Sequence, residues 1–188
     1  MSTDEIKSLL KDAETRMHGA IQSLTDSLNG IRTGRASPSL VEKLQVEYYG
    51  TPTPLMNMAS ISVPEPRSLM IKPFDASSLK DIEKAIQTSD LGLNPNSDGK
   101  VIHLNLPPLN EERRKDLVKQ VHNRLEDARI AVRNIRRDLH NDLRDYEKEK
   151  LITEDDLKRG EEDLQKLTDK VVEEIAKLGQ HKEKDIME

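Results

Sequence analysis

From Asn110 to Lys150 the chain contains neither proline nor glycine. Pro107-Pro108-Leu109 opens this stretch and Thr153 follows it. As a continuous helix at about 1.5 Å per residue it would span roughly 60 Å. An ordinary globular helix has about 11–12 residues, so this one must act as a structural axis. At about 100° per residue, counted from Arg113, its side chains sort into sectors. Lys115, Arg129, Arg133, Arg136, Arg137, His140 and Arg144 fall within roughly 140–240°. Val121, Leu125, Ala128, Val132, Ile135, Leu139, Leu143 and Tyr146 fall within roughly 40–120°. One side requires a core, and the adjoining side is a ladder of cations.

Only 34% of the 188 residues are hydrophobic and 35% are charged, values close to those of disordered chains. The apolar residues are periodic, however, and long helices with one apolar stripe need few of them. The length accommodates one large or two small domains. There is no cysteine, which removes disulfide frameworks and thiolate chemistry. No apolar run approaches the roughly 18 residues of a membrane span. Asp4, Glu5 and Asp12 do not fit the basic and apolar regions of a secretory signal, so the expected compartment is the cytoplasm. The net charge of −5 conceals an asymmetry: residues 113–144 carry ten basic and five acidic side chains, whereas residues 145–188 carry nine and fifteen. A chain that is acidic overall but basic along one element points to a localised anionic partner.

The remaining segments organise around this axis. Residues 2–30 read as a helix capped by Ser2 or Thr3, with a seam of Ile6, Leu10, Ala13, Met17, Ile21 or Ala20, Leu24, Leu28 and Ile31. Arg32 to Pro38 is loop by composition. Alternation over Val41–Tyr48 predicts a strand, Gly50-Thr51-Pro52-Thr53-Pro54 a turn, and Ala59–Val63 a second strand ended by Pro64 and Pro66. Ser68–Phe74 is a third strand, Leu79–Thr88 a short helix capped by Ser77 or Ser78, Leu91–Asn96 a loop and Lys100–Leu106 a last strand. The long helix has a seam of Val118, Val121, Leu125, Ala128, Val132, Ile135, Leu139, Leu143 and Tyr146. Thr153 caps a final helix with Leu157, Leu164, Leu167, Val171, Ile175 and Leu178 on one face, and Gly160 marks a close-packing position or a fray.

The expected fold class is α+β. Residues 1–31 and 107–188 form an elongated antiparallel three-helix bundle, and residues 32–106 form a small inserted β/α/β domain. Two short connections, 31–34 and 106–108, make a hinge, with Thr33 and Gly34 on one strand and Leu106, Pro107 and Pro108 on the other.

No catalytic constellation is present. The five histidines lack metal-ligand spacing, no phosphate-binding glycine loop or nucleophile elbow occurs, and Asp155/Asp156 are helix-start charges, so neither catalysis, metal nor cofactor is expected. The arginine ladder has two readings: a solvated face laced by ion pairs to the acidic last helix, or a phosphate-binding surface. Arginine in place of lysine, and few interleaved acids, favour the second. Aromatic residues are 2% of the chain, so base stacking is not the mode; a structured nucleic acid read by backbone and shape is. Arg32 and Arg35 either extend this surface or are solvated. The Pro-rich stretch Tyr49–Pro54 is either just a turn or a protein-contact edge at a domain tip.

Five blocks carry a resemblance: Ile31-Arg32-Thr33-Gly34-Arg35-Ala36-Ser37-Pro38, Val46–Pro52, Ser89–Pro95, Leu106–Leu109 followed by Glu111–Lys115, and Val132-Arg133-Asn134-Ile135-Arg136-Arg137-Asp138. In collinear order over the whole chain they resemble the bacterial ribosome recycling factors. The resemblance implies an L-shaped molecule of tRNA-like proportions. It implies binding to the large ribosomal subunit, on 23S-type rRNA across the A and P sites; the chain is expected to be a monomer with no membrane partner. It implies that, with elongation factor G and GTP, the protein splits the post-termination ribosome. Arg133 and Arg136 match rRNA-contacting positions, with Arg129 and Arg137 beside them, and Arg32 matches another. Two other classes compete: a coiled-coil adaptor whose basic face meets an acidic protein, and an enzyme with an unrecognised site.

Overall fold

A computed structural model describes residues 2–188, with side chains from Asp4 onward; the expected cap at Ser2 or Thr3 falls outside the described side chains. The chain divides into two compact units, one formed by the chain up to Arg32 with Glu111–Glu188, the other by Thr33–Asn110.

The first unit is three helices: α1 (Ser2–Asn29), α3 (Glu111–Lys148) and α4 (Glu154–Met187), with α2 lying in the other unit. Arg16 on α1 reaches Asp138 on α3, and His140 on α3 reaches Glu161 on α4, so α1 and α4 both run against α3. The helices close over Ala13, Met17, Leu24, Val121, Val132, Leu139, Leu143, Leu164 and Ile175, all buried. In α1 and α3, two seam positions differ from the periodic expectation by one residue. Leu9 and Leu117 are buried, whereas Leu10 and Val118 are half-exposed. Both pairs are adjacent apolar residues at the bundle ends, where spacing alone does not choose between neighbours. In α4 the buried row takes Thr168 and Gly179 in place of the expected Leu167 and Leu178, which are half-exposed, and it also takes in Gly160. A Cβ on Gly160 would lie 3.1 Å from Leu143 Cδ2, so this glycine is a close-packing position. Thr153 caps α4 with its hydroxyl accepting from the Asp156 N–H, and the Asp156 carboxylate accepts from the Thr153 N–H in return.

The second unit holds β1 (Gln45–Tyr48), β2 (Thr51–Pro54), β3 (Ala59–Glu65), β4 (Ser68–Pro73), α2 (Leu79–Thr88), β5 (Pro95–Ser97) and β6 (Ile102–Asn105). β1 and β2 form a hairpin, and β3-β4-β6-β5 form an antiparallel sheet. The core is Val41, Val46, Leu55, Leu69, Ile71, Ile82, Ile86, Ile102 and Leu104.

Several local expectations change. The first strand begins only at Gln45, because Ser37 and Pro38 start a short 3-10 turn whose Pro38 carbonyl accepts from Val41 and Glu42. The hairpin turn is Tyr49-Gly50, with φ of 51° and 80°, so Thr51–Pro54 is a strand rather than a turn. Pro52 and Pro54 face Glu47 and Gln45, the positions of this two-residue hairpin that need no cross-strand N–H. β3 passes through Pro64 by a register shift between Ser62 and Glu65. Asp75, accepting from the Ser77 N–H, caps the turn that leads into α2, and Ser78 makes no side-chain cap. β5, within an expected loop, is only three residues long.

Candidate nucleic-acid interface

Because α3 is a single uninterrupted helix, its sectors become physical faces. Asp127, Asp138, Asp142 and Asp145 cluster on the side of the helix opposite the ladder arginines, a side that also carries Arg113 and Arg124. The ion pair of Asp138 with Arg16 places the acidic row on the α1 side. The pairing of His140 and Arg144 with Glu161, at 2.9 and 3.9 Å, places the cationic row on the α4 side. His122 meets Glu183 of α4 on the same side.

Part of the ladder is engaged within the protein. Lys115 pairs with Glu111 at 3.0 Å. The Glu126 carboxylate accepts from Arg129 at 3.3 Å and from Arg133 at 3.1 Å, joining two arginines through one acid. Arg137 donates to the Asn134 side chain at 3.3 Å. All of these contacts are at least partly solvated, the regime in which an ion pair contributes only about 0–1 kcal/mol and yields readily to a better acceptor. Arg133, Arg137 and Arg144 are exposed, whereas Arg129 and Arg136 are half-buried. Arg136 makes no ion pair or hydrogen bond with any described residue. The ladder is thus laced to α4 at His140 and Arg144, to acids of α3 itself at Lys115, Arg129 and Arg133, and it presents Arg133 and Arg137 to solvent. The carboxylate of Glu126, three residues before Arg129, is the member that angular sorting passes over, although its spacing is visible in the sequence.

Of the residues expected beside the hinge, Arg32 closes the helical unit and has no partner among the described residues; Thr33, Gly34 and Arg35 belong to the sheet unit. Gly34 has φ of 76°, and a Cβ there would lie 3.0 Å from Leu109 Cγ, so the two connecting segments pack against each other within that unit. The Leu106 N–H donates to the Arg67 carbonyl at 2.8 Å, tying Leu106 to the sheet, and Pro107 and Pro108 continue in irregular backbone to Asn110.

In the sheet unit, Tyr48, Phe74 and Asp75 line a cavity of about 110 Å³. Tyr49 packs edge-on to Tyr48, with ring centres 4.5 Å apart. Tyr49 and Phe74 are strongly exposed. Among the described residues no three His, Cys, Asp or Glu side chains gather as a metal site, and no helix is long and apolar enough to cross a membrane.

A three-helix bundle and a small antiparallel sheet unit, with cations gathered along one face of one helix, make this an α+β protein. The sequence profile of the family described as "Ribosome recycling factor" matches residues 24–187, and the chain belongs to that family. It is 54% identical over 182 residues to the ribosome-recycling factor of Halalkalibacterium halodurans, covering 97% of this chain and 98% of that one. With the Caldicellulosiruptor bescii ribosome-recycling factor it shares 55% identity over 176 residues, 94% and 96% of the two chains. A solution structure of the ribosome recycling factor superimposes with a TM-score of 0.74 at 45% identity, covering 97% of each chain. The T. thermophilus ribosome recycling factor, described with E. coli elongation factor G bound to the E. coli post-termination complex, gives 0.65 at 43% identity, covering 97% of this chain and 99% of that one.

Proposed function

We propose that this chain acts with elongation factor G, and the GTP that factor hydrolyses, to release the post-termination ribosome from mRNA and separate its subunits in the cytoplasm. The carrying observation is the family match over residues 24–187. The relative bound beside elongation factor G on a post-termination complex supports the choice of partner. The chain makes and breaks no covalent bond in this reading. Arg129, Arg133, Arg136 and Arg137, with Arg32 and Arg35, anchor it to large-subunit rRNA across the A and P sites through phosphate contacts. The connections around Thr33-Gly34 and Leu106-Pro107-Pro108 let the sheet domain move while the bundle stays anchored. The work comes from the partner GTPase, and the bundle transmits it as a lever.

The test is cosedimentation of the monomeric chain with purified large subunits across a salt series. Arg133→Ala and Arg136→Ala each weaken binding, and each lost phosphate contact flattens the salt slope by about 0.7–0.9. Binding by the double variant equal to that of the unaltered chain would defeat the arginine assignment. Nucleotide turnover by the isolated chain would instead revive an enzyme.

A further inference from the structure

The outer face of α3 carries a second row that the arginine ladder does not include. Asn123, Ile130, Asn134 and Asn141 lie on the helix surface between the cationic row and the acidic row. All four are exposed, and Ile130, at 45%, is the one large apolar side chain of α3 that is. From Asn123 to Asn141 the row runs roughly 27 Å along the helix. Packing inside the fold does not account for it. Asparagine is a weak helix former and an exposed isoleucine gains nothing from packing. Among the described residues the side-chain amides of Asn123 and Asn141 have no hydrogen-bond partner, and that of Asn134 accepts only from Arg137.

We infer that this row reads the ribose edge of a double-helical RNA segment, and the inference rests on the rRNA reading above. An A-form duplex presents phosphates alongside a wide, shallow minor groove lined with 2′-hydroxyls and base edges. A row of guanidiniums beside a row of neutral amides matches that order: the arginines take the phosphates, the amides exchange hydrogen bonds with 2′-hydroxyls, and Ile130 covers apolar sugar carbons. Beyond the amide row Asp127, Asp142 and Asp145 repel phosphate, Asp138 is already paired with Arg16, and Arg124 is the one cation among them within this span, so the helix favours lying along the groove with its ladder side toward the backbone. The three rows together convert general attraction to a polyanion into a contact specific for ribose and for one orientation.

The experiment uses the full chain and purified large subunits. A triple variant, Asn123→Ala, Ile130→Ala and Asn141→Ala, removes three of the four members of the row and leaves Asn134, the partner of Arg137, and every arginine in place. Alanine's helix propensity keeps the bundle folded, which the thermal midpoint verifies. Affinity is expected to fall about tenfold at every salt concentration, with the salt slope unchanged. Acylation probing of rRNA 2′-hydroxyls is expected to lose protections at a saturating concentration of the variant. A photo-reactive residue replacing Ile130 is expected to cross-link rRNA. Binding and protections equal to those of the unaltered chain overturn the inference while leaving the arginine contacts standing, provided Arg133→Ala still weakens binding. Cross-linking to a ribosomal protein also overturns it. If the unaltered chain shows no salt-dependent binding, both readings fall.

Discussion

Leu125 of α3 lies over Gly179 of α4 so closely that a Cβ at position 179 would stand 2.3 Å from the leucine Cδ1 and 3.1 Å from Cδ2. The glycine sets the approach of the two helices that carry the cations and their acidic partners. Gly179→Ala is therefore expected to destabilise the bundle by about 1–3 kcal/mol through overpacking, offset in part by alanine's roughly 1 kcal/mol better helix propensity. Gly160→Ala, where Leu143 stands at 3.1 Å, is expected to cost less. Denaturant unfolding of both variants, and of Gly179→Ala combined with Leu125→Ala, measures this; the pair should couple, the double variant being more stable than the sum of the singles predicts.

Glu126 competes for Arg129 and Arg133. Glu126→Gln removes the competing charge and is expected to raise affinity for large subunits about two- to fivefold at low salt, the range that a surface ion pair allows. Unchanged or weaker binding in the same cosedimentation series would mean that these arginines do not meet phosphate.

The sheet domain has its own pH window. Asp75 is held below the usual carboxylate range, first by the Ser77 hydroxyl and then by the Ser77 N–H, at 2.7 and 3.0 Å. Asp98 is lowered by the Val101 and Lys100 N–H groups. Depressed carboxyls contribute stability above their unfolded value of about 4, and it is lost as pH falls through the folded values below that. Tyr48 is raised, chiefly by burial and then by Asp75, so its contribution is present below about pH 10 and is lost as pH rises through its folded value. Amide protection factors of β4 and β6, corrected for the pH dependence of intrinsic exchange, are expected to fall at both extremes, with a weaker acid effect in Asp75→Asn.

Gly34→Ala tests the hinge. A residue with a Cβ held in the left-handed region costs about 1–2 kcal/mol. At this position the added Cβ also meets Leu109. Subunit splitting with elongation factor G and GTP is expected to slow while large-subunit binding is retained. A cross-link freezing the sheet domain is expected to abolish splitting altogether; unchanged splitting in the cross-linked chain would refute the lever.

Replacing Thr153 by Ala removes the acceptor for the Asp156 N–H and is expected to cost about 1 kcal/mol of bundle stability. Helix content measured during denaturation checks it.

The three long helices and α2 are legible from the residues alone, because each has apolar side chains at helical spacing and few breakers inside. So is the angular order of charge on α3, since one unbroken helix turns sequence spacing directly into geometry. The family resemblance is equally local, running through contiguous blocks such as Val132–Asp138. The short strands are less legible. Val41–Leu44 alternates like a strand, yet it lies in the turn that follows the 3-10 helix Pro38–Leu40, and Thr51–Pro54 looks like a turn until Tyr49-Gly50 takes both positive φ values. Folding chooses which neighbour fills each bundle end, Leu9 over Leu10 and Leu117 over Val118, because packing against two partner helices selects by fractions of a turn. It likewise chooses which cations are engaged, since Glu161 and Glu183 reach His140, Arg144 and His122 only when α4 folds back along α3. A charge's angle is a property of its own helix, whereas its partner is a property of the helix beside it.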